Sequence, residues 1–230
     1  MTSLILIPGM MCDARLFAPQ VEHLSSEFDI QIPKLIGQNT INGYANAILK
    51  NASENFALLG LSMGGIIAME ILRIAPERVE RIALLDTNPL AEKDEVKRRR
   101  FPQMEAVKQG RLVDIMRDEM KPNYLADSPL KGEILDLCMD MAIQLGSEVF
   151  IEQSQALMNR PDQTETLQSA DIPALILCGR DDILCPIERH ELMHDLMPHS
   201  TLEIVDGAGH LPVLEQTVIT NTKITTWLKQ

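Results

Sequence analysis

The stretch Phe56-Ala57-Leu58-Leu59-Gly60-Leu61-Ser62-Met63-Gly64-Gly65-Ile66-Ile67 decides how the rest of the 230-residue chain is read. Its first four residues are a continuous apolar run of strand length. Ile66, Ile67, Ile71 and Ile74 then recur on one helical face until Pro76 stops it. Between strand and helix lies Gly60-x-Ser62-x-Gly64, a sharp turn that holds a serine in a strained conformation at the top of a sheet. The glycines are needed because the positions two residues either side pass close to the serine, where a Cβ would collide. Such a turn suits a nucleophile. The other use of a glycine-rich strand–helix loop is to hold a phosphate at the helix N-terminus.

Outward from this turn, five more apolar runs have strand length: Leu4–Ile7, Phe28–Ile32, Arg81–Leu85, Ala174–Cys178 and Thr201–Val205. Each is followed by Gly, Pro, Asp or Asn, and amphipathic stretches lie between most of them, one placed to be capped by Thr40 and to run through Leu49. Near-continuous apolar strands alternating with helices predict an α/β fold with about six parallel strands covered on both faces. From about Thr87 to Ser169 the rhythm breaks. That interval carries only helical patterns, Ala91–Gln109, Leu112–Met120, Leu130–Leu145 and Glu148–Met158, punctuated by Pro122, Pro129 and Pro161. The reading is a core of residues 1–86 and 170–230 interrupted by a helical cap insertion, 87–169, over one end of the sheet. The alternative is a set of longer crossover helices.

Composition narrows the function. With 45% hydrophobic and 23% charged residues the chain is ordinary globular material. The net charge of −12 would repel nucleic acid and anionic membrane surfaces, so the expected partner is a small molecule. Thirteen methionines against 3% aromatics predict a pocket of flexible aliphatic and thioether groups. The four cysteines form no C-x-x-C pair, and nothing demands an oxidising compartment. The apolar run Leu4–Ile7 stops at Pro8-Gly9, too short for a signal-peptide core or a membrane span. A cytoplasmic location is the expectation. No feature specifies an oligomeric state.

A serine hydroxyl needs a base to take its proton. Of the five histidines, only His210 sits on a loop directly after a predicted strand, in Asp206-Gly207-Ala208-Gly209-His210-Leu211-Pro212. That places it over the carboxyl edge of the sheet, where ligands bind in such folds. His190-Glu191-Leu192-Met193-His194 matches the H-E-x-x-H zinc pattern. A zinc site needs a third ligand and a cleft, however, and this helix belongs on the flank of the sheet, so a solvated helix face is expected and no metal. The carboxylate that orients the imidazole is expected in Gly179-Arg180-Asp181-Asp182-Ile183-Leu184-Cys185-Pro186. Asp182 suits better than Asp181, since Pro186, four residues on, turns the chain back into a helix. Asp86, ending the strand Arg81–Leu85, is the other candidate acid; otherwise it lines the site mouth or caps the insertion's first turn.

The order Ser62, Asp182, His210 is the chain order of α/β-hydrolases. The sequence resembles that family, in particular its small capped esterases, enol-lactonases and C–C hydrolases. The resemblance covers nearly all of the chain outside the insertion. It rests on Pro8-Gly9-Met10, Gly60-x-Ser62-x-Gly64, Gly179-x-x-Asp182-x-x-x-Pro186 and Gly207-x-Gly209-His210. Two departures stand out: Pro8 replaces the usual histidine of the first motif, and the sheet begins two strands late, shortening it to six. The resemblance implies a Ser62–His210–Asp182 triad, an oxyanion hole of the Met10 and Met63 backbone amides, and no cofactor. It implies hydrolysis of an ester, thioester or lactone through an acyl-enzyme. The same triad serves C–C bond hydrolases and lyases, and a non-enzymatic ligand receptor retaining the pocket is the third class. The run Lys97-Arg98-Arg99-Arg100 is read as a solvated helix face or as a clamp for a substrate carboxylate or phosphate.

Overall fold

The computed structural model describes residues 2–230. Six strands form its sheet: β1 (Thr2–Ile7), β2 (Phe28–Gln31), β3 (Phe56–Leu61), β4 (Val79–Leu85), β5 (Ala174–Gly179) and β6 (Ser200–Val205). Their order is β2-β1-β3-β4-β5-β6, and every neighbouring pair is parallel. All six expected strands are present, within one or two residues of the apolar runs. Winding proceeds from β1 outward to β2, then returns past β1 and continues from β3 to β6. The loops after β1 and β3 therefore diverge at this reversal and open a crevice at the carboxyl edge.

The period of two along each strand divides the core into two faces. Ile5, Ile7, Leu58, Ile82, Leu84 and Ile176 point to one side. There they pack on α2 (Ile41–Leu49), α3 (Met63–Ile74) and α8 (Ile187–Leu196) through residues such as Tyr44, Ile67, Ile71 and Met193. Leu4, Leu6, Leu59, Leu85, Leu175 and Leu177 point to the other. They meet α1 (Ala18–Leu24) and α10 (Thr217–Leu228), the latter through Ile224 and Trp227. Because both faces are covered, β3 and β5 are buried along their whole length. The Thr40 hydroxyl accepts the Gly43 N–H at 2.9 Å and caps α2 as expected.

Between β4 and β5 every regular element is a helix. The chain runs through α4 (Asp94–Lys108), the single turn α5 (Leu112–Ile115), which continues as a π-turn over Met116–Met120, then α6 (Lys131–Met158) and α7 (Thr164–Gln168). At Gly146, with φ 84° and ψ 178°, α6 bends; the two helices expected on either side of that residue are its two arms. This segment has a core of its own, in which Met104, Met116 and Met158 pack with Met11, Ile115 and Phe150. Of the thioether groups expected at the pocket, Met10, Met63 and Met120 do line the cavity over Ser62, whereas Met104, Met116 and Met158 are taken up by this core. Helices of this segment must bury an apolar face to hold together, and these flexible thioethers are used for that purpose. No helix among the described residues is long and apolar enough to cross a membrane.

Candidate active site

Ser62 is the residue between β3 and α3, with φ 56° and ψ −117°. Only three non-glycine residues among those described have positive φ: Met11, Ser62 and Asp86. They follow β1, β3 and β4 respectively, so backbone strain is concentrated around one point of the carboxyl edge. The close packing expected of the turn is present. A Cβ on Gly60 would collide with the Gly64 carbonyl, and one on Gly64 with the Ile7 carbonyl of the neighbouring strand. The turn is tied down by the Ser62 N–H donating to the Leu85 carbonyl at 2.9 Å. From the other side, the Thr87 hydroxyl donates to the Ser62 carbonyl at 2.7 Å.

The structure brings together the three side chains expected from sequence. His210 Nε2 lies 2.9 Å from Ser62 Oγ, and His210 Nδ1 lies 2.8 Å from Asp182 Oδ2. Both His210 and Asp182 are buried. The second Asp182 oxygen accepts the Leu184 and Cys185 N–H groups at 2.8 and 3.1 Å. Burial alone would raise the Asp182 pKa. The His210 ring and these donors outweigh it and hold the carboxyl below its ordinary value. Met10 and Met63 line the same cavity as Ser62, and no hydrogen bond from either backbone N–H to another group is found among the described residues.

Asp86 is not at the site mouth. It is fully buried behind Asp182, with Oδ1 accepting the Gly179 N–H at 2.9 Å and Oδ2 without a partner. Burial, followed by the Asp182 charge, pushes its pKa well up, which favours its protonated form. The solvated-face reading of His190 is likewise corrected. His190 is completely buried, its Nε2 accepts the Thr87 N–H at 3.1 Å, and burial pulls its pKa down to about 4. His194 bonds instead to the Ser200 hydroxyl at 2.7 Å, so the H-E-x-x-H pair is spent on two separate structural bonds.

One residue was missed from sequence. Glu215, at the end of α9 (Pro212–Glu215), accepts the N–H groups of Gly209 and Leu211, the residues flanking His210, each at 3.0 Å. It also accepts the Ala126 N–H at 2.8 Å, joining the His210 loop to the segment before α6. The His210 N–H donates to the Tyr124 carbonyl at 2.6 Å, a second tie between the same two segments. The only available signal was an acidic residue five positions after the histidine, which has no meaning until the loop is folded.

The cavity over Ser62 has a volume of about 740 Å³. Met10, Met63 and His210 lie at its floor; α4, Arg160 and the Ile183–Leu184 turn are among its walls. Arg99 and Arg100 line it, Arg99 while still exposed, whereas Arg98 is exposed away from it and Lys97 lies 3.7 Å from Asp94. The basic run is thus divided between cavity and solvent.

A six-stranded parallel sheet with a serine on a strained turn, hydrogen-bonded to a histidine and through it to an aspartate, defines an α/β-hydrolase arrangement. The model of the alpha/beta hydrolase family matches residues 6–219, and the chain belongs to that family. Among curated relatives, a Cronobacter sakazakii protein named for carbamate hydrolysis is 27% identical over 169 residues, covering 71% of this chain and 62% of its own length. This chain thus spans less than two thirds of that relative. The pimeloyl-[acyl-carrier protein] methyl ester esterase of Aliivibrio salmonicida is 24% identical over 240 residues, covering 93% of this chain and 87% of its own. Among solved structures, a thermophilic esterase from Thermogutta terrifontis, malate bound, superposes with a TM-score of 0.90. It is 26% identical, and the match covers all of this chain and 90% of that one.

Proposed function

We propose that this chain is a serine hydrolase that cleaves a small to medium carboxylic ester, thioester or lactone through an acyl-enzyme. The observation that carries the reading is the hydrogen-bonded line from Asp182 through His210 to Ser62, at 2.8 and 2.9 Å, opening on a cavity. Ser62 Oγ attacks the acyl carbonyl while His210 Nε2 takes its proton. Asp182, held ionised, stabilises the imidazolium, which then protonates the leaving alcohol, thiol or ring oxygen. The oxyanion is held by the free Met10 and Met63 amides, each such donor being worth roughly 10²–10³ in rate. Water, deprotonated by His210, hydrolyses the acyl-enzyme. His210 carries every proton, so no cofactor enters. Residues 87–169 act as the cap that closes the cavity over Ser62. The esterase names of the Aliivibrio and Thermogutta relatives support ester cleavage over other acyl chemistry.

A fluorophosphonate probe tests this reading. Ser62 is expected to be labelled, and His210→Ala to abolish the labelling. Labelling at a different serine, or undiminished labelling without His210, overturns it.

A further inference from the structure

The chain carries a net charge of −12, yet the cavity over Ser62 is walled by five cationic side chains and three anionic ones. Most of that excess sits in one cluster. Glu92, buried, bonds through Oε2 to Arg100 Nε at 2.6 Å and through Oε1 to Arg160 Nη1 at 2.8 Å. Both guanidiniums are enclosed, with side chains 13% and 10% exposed. Arg160 also donates from Nε to the Leu90 carbonyl at 2.9 Å, and among the described residues Arg100 Nη1 finds only the Met10 sulfur, at 3.8 Å. Two enclosed cations therefore share one carboxylate, and donor N–H groups of both remain unused. Arg189, half-buried and without an acidic partner among the described residues, extends the positive wall. Burial, then the Arg100 and Arg189 charges, pull the Arg160 pKa down in spite of Glu92, as an incompletely neutralised cluster requires.

Enclosed guanidiniums with unused N–H donors on the wall of a cavity present a preformed site for an anion. The cluster is not remote from Ser62, because the Met10 side chain that Arg100 touches lines the same cavity. We propose that Arg100, Arg160 and Arg189 form a subsite for a carboxylate on the substrate, so that the chain hydrolyses esters or thioesters bearing a free acid group, such as half-esters of short dicarboxylic acids. This rests on the serine-hydrolase reading above. The three guanidiniums and Glu92 leave a net positive charge, which an anionic group on the substrate offsets. Arginine suits the task because its planar fork holds a carboxylate through two parallel bonds.

The test compares ethyl hydrogen glutarate with ethyl glutaramate, its neutral near-isostere, on the purified chain, with fluorophosphonate labelling run on the same preparation. Charge-assisted hydrogen bonds of this kind predict kcat/KM about 10- to 100-fold higher for the acid. Arg189→Gln, at a half-buried position that does not hold the fold together, is expected to lower that ratio severalfold; Arg160→Gln is expected to bring it close to one. Binding of both compounds to Ser62→Ala, measured by calorimetry, reads the subsite without turnover and is expected to keep the same preference. Intact labelling of Ser62 with no preference for the acid, in turnover and in binding, overturns the subsite and leaves the hydrolase reading standing. Absent labelling with preserved acid preference in calorimetry does the reverse. Stronger competition by inorganic phosphate than by glutarate overturns the assignment to carboxylates.

Discussion

Acidification tests the structure through His190, a residue outside the catalytic line. Its ring is completely buried and its Nε2 accepts the Thr87 N–H at 3.1 Å, which only a neutral imidazole can do. In the unfolded chain the ring takes up a proton near 6.5, in the fold only near 4, with burial as the main cause. Between those values the unfolded state binds more protons, so the contribution of His190 is complete above pH 6.5 and is lost as pH falls toward 4. Each pH unit is worth about 1.4 kcal/mol, so the loss across the window amounts to about 3 kcal/mol. That is a substantial share of a typical domain stability of roughly 5–15 kcal/mol. His190→Gln offers an oxygen to the same amide without titrating. Urea unfolding of both proteins from pH 7.5 to pH 4 is expected to give a stability difference that shifts against the wild type by about 3 kcal/mol as the pH drops. Parallel pH curves for the two proteins would refute the reasoning. Because the Thr87 hydroxyl also holds the Ser62 carbonyl, wild-type turnover is expected to fall in the same window.

Three further outcomes follow from the site. Asp182→Asn is expected to lower kcat by about 10⁴ while the far-ultraviolet spectrum is unchanged, whereas Asp86→Asn, which imitates the neutral form that burial favours, retains most activity; the reverse result in steady-state kinetics would exchange their roles. Glu215→Gln sets an amide donor against a backbone N–H, so a loss of about 1–3 kcal/mol in denaturant unfolding is expected together with a lower kcat, as the His210 loop loses its anchor. Gly64→Ala is expected to destabilise the chain by several kcal/mol or to prevent folding, because the added methyl meets the rigid Ile7 carbonyl; a near-wild-type melting temperature would contradict the packing of the turn.

Local pattern carried much of this protein in its sequence. Strands buried on both faces must be apolar along their whole length, so β3 and β5 were visible as runs, and Pro76 and Gly146 marked real breaks in helical geometry. Ser62, Asp182 and His210 were legible because each follows a strand of a parallel sheet, and parallel strands deliver the loops after them to one edge. What the segment between β4 and β5 turns inward was not legible. A helix periodicity identifies an apolar face but not the surface that will cover it. Met104, Met116 and Met158 went to the segment's own core, Met141 to the sheet and Met120 to the cavity, and the guanidiniums of Arg100 and Arg160 went to the cavity wall. The buried polar side chains were hidden for the same reason. His190, Asp86 and Glu215 are specified by backbone amides that lie far away in the chain or point inward only once their loop has closed, at Thr87, Gly179, Ala126, Gly209 and Leu211. A polar residue in sequence is equally compatible with solvent; only the tertiary fold, by removing water and supplying a donor, decides that it is buried.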